Sequence, residues 1–488
     1  MPMIHIAGQK TRISVADGTR LLDALKEAGF YPDAPCGGQG LCGKCKVLAD
    51  GQQVLACKTQ VHRDMTVTLP SESNLQILHR GILEEQTMGP VAEGHLLAFD
   101  IGTTSLVCFL LDGKTGQELS QSSMQNPQVS FGADVISRVQ AALRGELGEL
   151  TRLIREGMTK LILEVCESAQ ISPDEIGVVS VVGNPAMQQL FLGIDPKNLA
   201  QVPFGPVLTE GKAVPCGSYL SLCPRAKLLI VPDISGYVGA DTLGCLLATK
   251  LYEKEEITLL VDIGTNGEMV LGNKDRMVAC STAAGPALEG ANIRCGMRGT
   301  RGAIDHVWLE QGKPCYSVIG GGQAEGICGS GLVDAVAVGL KLGLVNKRGR
   351  IENEEHIFRL TDRVYLTQED IRQVQLAKGA IHAGILLMAK SLGIGLSDIQ
   401  KVQLAGAFGS YLDPKNACRM GLLPEQLQDR IEAVGNAAGS GAKLLACDQK
   451  LLPLTQELVN RIAFLELATL PEFTKTFAKS MLFREETE

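Results

Sequence analysis

Two groups of residues in this chain have the types and spacing of working chemistry. The first is the run APCGGQGLCGKCKV over residues 34–47, whose Cys36, Cys42 and Cys45 are joined by Cys57 in the spacing C-x5-C-x2-C-x11-C. Four thiolates so close in sequence suit a tetrahedral zinc ion or an iron–sulfur cluster. Gly37, Gly38, Gly40 and Gly43 let the backbone wrap closely and turn N–H groups toward cluster sulfurs, which favours the cluster. The second group is an echo. HLLAFDIGTTSLVCFLLDG from residue 95 recurs in form as ITLLVDIGTNGEMVLGN from residue 257. Each is an apolar strand ending in Asp, then Ile-Gly-Thr, then another strand, and the spacing of Asp100 and Asp262 is that of a duplicated domain. Gly102 and Gly264 admit a phosphate against the backbone. Thr103, Thr104, Thr265 and Asn266 offer hydroxyl, amide and backbone donors to phosphate oxygens, and Asp100 and Asp262 can hold Mg²⁺ through water. Two such hairpins facing across a cleft would clasp a triphosphate from both sides.

Elements that could position these residues are legible around them. IHIAGQKTRISVADG reads as two short strands about a Gly turn, and TRLLDALKEAGF as a helix with Leu21, Leu22 and Leu25 on one face and Gly29 as its stop. KVLADGQQVLAC supplies a hairpin through Asp50-Gly51 that returns the chain to Cys57. Residues 71–93, with Ser, Glu, Gly and a Gly-Pro pair, read as a linker. GICGSG (326–331) lacks the spacing of a dinucleotide loop and reads as a tight turn opening a helix; no Walker A motif is present. GNAAGSGA (435–442) is either a nucleotide-side turn or a helix start, and TFAKSMLF suits a docked terminal helix.

Composition narrows the function classes. The 488 residues are 45% hydrophobic and 20% charged, enough for several packed units of ~150 residues. A net charge of −8 argues against a nucleic-acid partner, and no apolar run reaches the ~20 residues of a membrane span. The N-terminus lacks a signal-peptide core, so the expected location is cytoplasmic, where fifteen cysteines remain thiols. Cys280 and the ten cysteines outside the N-terminal group lack ligand-like clustering and read as packing thiols.

Strand, strand, helix and cysteine loop, in that order, resemble a β-grasp ferredoxin, with one extra residue in the first gap of the plant-type ligand loop. The paired DIGT turns resemble the phosphate loops of the actin-like superfamily. LAGAFG (404–409) is similar to its adenosine motif, which puts Gly406 and Gly409 beside the purine, and AAGPALEG (283–290) to a glycine turn with Gly285 and a ribose-contacting Glu289. NPQVSFGADVISRV, VVGNPAMQQLFLGIDP, PDISGYVGAD, AAGPALEGANIRCGMRGTRGAID and LAGAFGSYLD together resemble the reductive activators of corrinoid-dependent methyltransferase systems. A short linker stands here where better-known members carry a further domain.

The resemblance implies an α/β chain: a β-grasp ferredoxin-like domain (1–75), a linker (76–93), and a duplicated RNase H-like, actin-like ATPase of two subdomains (94–255 and 256–488) with a C-terminal helix crossing back. It implies a [2Fe–2S] cluster on Cys36, Cys42, Cys45 and Cys57, and ATP with Mg²⁺ at Asp100 and Asp262 as catalytic residues. The implied activity is ATP-dependent electron delivery to the Co(II) form of a corrinoid protein, restoring Co(I). The partners would be that protein, an external low-potential donor and a second copy of the chain. Alternatives are an activator of another low-potential reductase or dehydratase, a small-molecule kinase with an iron–sulfur redox sensor, and a zinc-bound interaction protein.

Overall fold

The computed structural model describes residues 1–9, 11–32, 34, 36–40, 43–69 and 94–483; Cys42 and the expected linker lie outside them. At the N-terminus, β1 (Met3–Ile6) pairs antiparallel with β2 (Arg12–Ser14), and α1 (Leu21–Glu27) follows. β3 (Lys46–Ala49) and β4 (Gln52–Leu55) form the expected hairpin, with Asp50 and Gly51 both at positive φ as a tight primed turn requires. β5 (Met65–Thr68) then completes a sheet of order β2-β1-β5-β3-β4. Leu21, Leu22 and Leu25 are fully buried against Ile4, Ile6, Val47 and Val67, so the helix face read from spacing is the one that packs. This is the β-grasp arrangement.

The first half of the larger body begins with β6 (His95–Ile101), β7 (Ser105–Asp112) and β8 (Glu118–Gln125), a consecutive antiparallel meander. After α2 (Val135–Ala141) and α3 (Leu147–Ala169), β9 (Ile176–Val182) joins β6 in parallel. After α4 (Pro185–Leu192), β10 (Lys212–Pro215) and β11 (Lys227–Ile230) complete the order β8-β7-β6-β9-β11-β10. α5 (Ala240–Thr249) leads to the second half.

There, β12 (Thr258–Ile263), β13 (Gly267–Gly272) and β14 (Met277–Thr282) repeat the meander. α6 (Gly329–Lys341) and the 25-residue α7 (Gln368–Leu392) precede β15 (Lys401–Ala405), which pairs in parallel with β12. α8 (Gly406–Tyr411) and β16 (Ile431–Gly435) follow, then α9 (Ala437–Cys447), β17 (Ile462–Phe464) and α10 (Phe473–Ser480). The sheet order is β16-β15-β12-β13-β14-β17. Counted from the first strand of each half, the sheets run 3-2-1-4-6-5 and 6-3-2-1-4-5, so both contain the core order 3-2-1-4. The sequence echo is therefore a structural duplication.

Strands β6 and β12 are covered on both faces, which is why they read as near-continuous apolar runs rather than alternating ones. α5 and α9 lie in the core shared by the two sheets. They cross at Gly244 and Gly441, where a Cβ on Gly441 would sit 2.1 Å from the Gly244 carbonyl oxygen. α9 follows a strand of the second half yet packs on the first: Ser180 Oγ donates to Ala442 O at 2.5 Å, and Lys443 Nζ pairs with Glu118 at 3.0 Å. The chain thus crosses back through α9 rather than only at its end.

Candidate functional site

The cysteine loop is built by glycine. Gly37, Gly38, Gly40 and Gly43 all have φ between +61° and +84°, and a Cβ on Gly38 would meet Leu22 Cδ2 at 2.8 Å. Three of the four expected ligands fall among the described residues. Cys45 and Cys57 are buried and Cys36 is partly so; the Cys57 N–H donates to Cys45 Sγ at 3.4 Å. Burial, with the neighbouring Cys57 and Cys36, pushes the Cys45 thiol up to about 11. A backbone amide aimed at a buried sulfur inside a glycine-built loop fits an iron–sulfur group. Among the described residues no three His, Cys, Asp or Glu side chains are disposed to hold a single metal ion. A binuclear cluster asks instead for two thiolate pairs, one per iron, and Cys42 lies outside the described residues.

Between the two halves lies a cavity of about 310 Å³, at the scale of a small-molecule site. It is lined by both DIGT turns: Asp100, Gly102, Thr103 and Thr104 from one side, Asp262, Gly264, Thr265 and Asn266 from the other. Glu289 also lines it, and its Oε2 accepts from Thr104 Oγ1 and Thr265 Oγ1, each at 3.0 Å, so one carboxylate spans the cleft and joins the two turns. Gly406, at φ +81°, sits so close that a Cβ would lie 2.7 Å from Asp262 Oδ1. Gly285 and Gly409 are not in the lining. Gly285 (φ +74°) opens a short turn, and Gly409 lets α8 approach Leu404 closely.

Several lining residues escape the motif reading. Glu268 lies directly across the hairpin from Asp262, a like-charge pair that destabilises a sheet unless something positive lies between. Asp241, in the first turn of α5, and Asp305 bring further carboxylates, and Asn184, Asn436, Arg298 and Phe408 are also in the lining. Burial is the main cause of raised carboxyl values here, with repulsion from neighbouring carboxylates adding to it at Asp100, Asp262 and Glu268. Asp100 and Asp262 rise to about 7, Asp241 to about 6, and Glu268 and Glu289 also rise. Buried together, these carboxyl groups concentrate negative potential in the cavity, although no three of them are placed to hold a metal ion directly. With a DIGT turn on each side, the residues fit a nucleotide. Asn436 caps α9 through Gly439 N–H at 2.7 Å and lines the cavity, so GNAAGSGA is a helix start that also faces the cavity.

A buried layer fixes the first phosphate turn. Asn126 Nδ2 donates to Gly102 O at 2.8 Å and its backbone N–H to Thr104 O at 2.9 Å, while the Arg138 guanidinium donates to Thr103 O. All three turn carbonyls are thus held from behind. Arg138 is wholly buried, and desolvation lowers it to about 9. Asn184 Nδ2 holds the Thr103 hydroxyl at 3.0 Å. These residues are the chemistry within NPQVSFGADVISRV and VVGNPAMQQ, which sequence patterning marked without assigning roles.

The cluster domain packs on both halves. Tyr31 bonds to Glu149 and receives a bond from Arg152 at 2.9 Å, and Lys26 Nζ lies 4.3 Å from the Phe131 ring centroid. Lys44, between Gly43 and Cys45, reaches the second half and donates to Gly296 O at 2.5 Å. Outside the cysteine loop, nine of the remaining cysteines are buried and Cys295 and Cys315 are partly so, in keeping with packing roles.

Comparison with known proteins agrees with this anatomy. Residues 4–65 match the 2Fe-2S iron-sulfur cluster binding domain, 96–254 the RACo middle region, and 256–488 the C-terminal domain of RACo, the ASKHA domain. The corrinoid activation enzyme RamQ of Eubacterium limosum is 38% identical over 420 residues, covering 79% of this chain and 70% of that one. The [Co(II) methylated amine-specific corrinoid protein] reductase of Methanosarcina barkeri is 28% identical over 402 residues, covering 75% and 72%. A solved reductive activator for a corrinoid, iron-sulfur protein superposes with a TM-score of 0.73 at 28% identity, covering 99% of this chain and 98% of the other. With a 2Fe-2S domain at its head and an ASKHA body behind it, the chain belongs to the RACo family of corrinoid-activating reductases.

Proposed function

We propose that this protein is an ATP-dependent reductive activator that delivers one low-potential electron to the Co(II) form of a corrinoid protein. The observation that carries the reading is the union of a glycine-built thiolate loop with a cavity in which both DIGT turns and six acidic side chains converge. A bound [2Fe–2S] cluster supplies a one-electron store near −400 mV for plant-type ligation, and Co(II) in the partner is the substrate that takes the electron up. Where cobalt demands a lower potential, each ~59 mV uphill costs about 1.4 kcal/mol, so a deficit of ~150 mV needs roughly 3.5 kcal/mol. Nucleotide supplies that through different affinities for two arrangements of the complex.

The chain's own residues divide the work. Cys36, Cys42, Cys45 and Cys57 hold the cluster. Gly102, Thr103, Thr104, Gly264, Thr265 and Asn266 receive phosphate oxygens, and Asp100 and Asp262 hold Mg²⁺ through water, with Asp241 and Glu268 adding negative charge. Gly406 and Phe408 lie on the base side. An external low-potential donor refills the cluster, and the cytoplasm keeps the thiols reduced. Among the described residues no helix is long and apolar enough to cross a membrane. The reading is tested by mixing the iron-loaded protein, a reductant and a Co(II) corrinoid protein with and without Mg-ATP. Co(I) should accumulate with nucleotide, and equal yields without it would remove the coupling.

A further inference from the structure

The segment over residues 290–298 belongs at once to the cluster domain's footing and to the nucleotide cavity. Its shape is fixed by close backbone contact. Gly290 has φ +76°, a Cβ there would strike Met297 O at 2.4 Å, and one on Gly296 would strike Gly290 O at 2.1 Å. Met297 N–H donates to Ile327 O and Ile327 N–H to Cys295 O, each at 2.9 Å, which seams the loop to the strand beside Cys328 and Gly329 of the cavity. One end of this stiff loop is gripped by Lys44 through Gly296 O at 2.5 Å. Two residues further on, Arg298 lines the cavity, where its charge acts on Glu289, the carboxylate that joins the two phosphate turns. A guanidinium at that point faces a surplus of negative carboxyl groups and is suited to phosphate oxygens.

Resting on the nucleotide-dependent electron delivery proposed above, we propose that Arg298 contacts the nucleotide's phosphates and that Lys44, beside Cys45, ties its position to the cysteine loop, so that cluster charge and nucleotide affinity are linked. The direction follows from charge. An electron from an external reductant adds one negative charge a single residue from the Lys44 ammonium and draws it away from Gly296 O. The loop carrying Arg298 then loses its grip, and nucleotide binds the reduced form more weakly. By thermodynamic reciprocity, bound nucleotide lowers the cluster's potential by the equivalent amount. A threefold difference in affinity corresponds to about 28 mV at ~59 mV per tenfold.

The test uses the full, iron-loaded chain and reads binding rather than turnover. Calorimetry gives the Kd of a non-hydrolysed Mg-ATP analogue for the air-oxidised and dithionite-reduced protein, and a spectroscopic titration gives the midpoint potential with and without the analogue. We expect the wild type to bind at least about threefold more weakly when reduced, and its potential to fall on binding. Arg298→Gln should weaken binding about tenfold or more, with Arg298→Lys recovering part of the loss. Lys44→Met should keep the cluster's visible spectrum yet bring the two affinities together and abolish the shift in potential. Equal affinities in the wild type, a difference that survives Lys44→Met, or undiminished binding by Arg298→Gln would each overturn the inference while leaving the function reading intact. A chain without cluster absorbance or without nucleotide binding would sink the function reading, and this inference with it.

Discussion

Replacing Asp262 by Asn should stabilise the nucleotide-free protein while destroying its response to nucleotide, two effects of opposite sign from one oxygen-to-nitrogen change. Burial, with Asp241 and Asp100 nearby, raises the Asp262 carboxyl from 3.8 to about 7. The folded state therefore prefers the protonated form. Its stability contribution is fully present below pH 3.8 and is lost as pH rises toward 7. At ~1.4 kcal/mol per unit the ceiling on that loss is about 4 kcal/mol. Asp262 keeps some exposure to the cavity, and water there reduces the penalty to ~1–2 kcal/mol. Asn has the same shape and no charge, and the contact given up, from Cys245 Sγ at 3.9 Å, is weak. In thermal unfolding at pH 8 without nucleotide, Asp262→Asn should melt about 1–3 °C higher than wild type, and at pH 4 the two should coincide. Mg-ATP at a hundred times its Kd should stabilise the wild type by about 2.7 kcal/mol and the variant hardly at all. A variant that melts lower at pH 8, or that Mg-ATP still protects in full, would refute the account of this carboxylate cluster.

Other outcomes follow from the same geometry. Glu289→Ala removes the acceptor shared by Thr104 and Thr265, and should raise the Kd for Mg-ATP by about tenfold or more while leaving the cluster spectrum unchanged, since hydrogen bonds to a charged group contribute about 1.5–3 kcal/mol each. Cys57→Ser should lose iron and visible colour but bind nucleotide as wild type does, as metal analysis and calorimetry would establish. Gly38→Ala forces a Cβ to 2.8 Å from Leu22 Cδ2 at φ +84°, and should release iron at a temperature several degrees lower without moving the melting of the ATPase body.

What the sequence revealed depended on whether the signal was local. The DIGT turns are covalently continuous strand–turn–strand units, so their types, order and duplication can be read directly, and all eight residues expected there line one cavity. The β3–β4 hairpin is legible for the same reason, because Asp50-Gly51 carries its own backbone geometry. Glu268 was within reach: in a hairpin turning at 264–266, the partner of Asp262 is fixed by counting back. Asp241 and Arg298 were not, because they arrive from the start of α5 and from a seamed loop, and only tertiary packing brings them to the cavity. Gly285 and Gly409 mark the converse limit, since glycine signals a backbone need without naming it: a positive φ at Gly285 and close packing on Leu404 at Gly409. The footing of the cluster domain on Glu149, Arg152 and Gly296 has no local signature at all.

The central claim is that a thiolate-held cluster and a magnesium nucleotide act on one electron. It is tested most directly by counting Co(I) formed from a Co(II) corrinoid protein under anaerobic conditions, with a fixed excess of reductant. Wild type with Mg-ATP should generate it, while wild type without nucleotide, Cys57→Ser with nucleotide and Asp262→Asn with nucleotide should all fall to the level of reductant alone. Co(I) formed equally well by either variant, or by the wild type without ATP, would contradict the account.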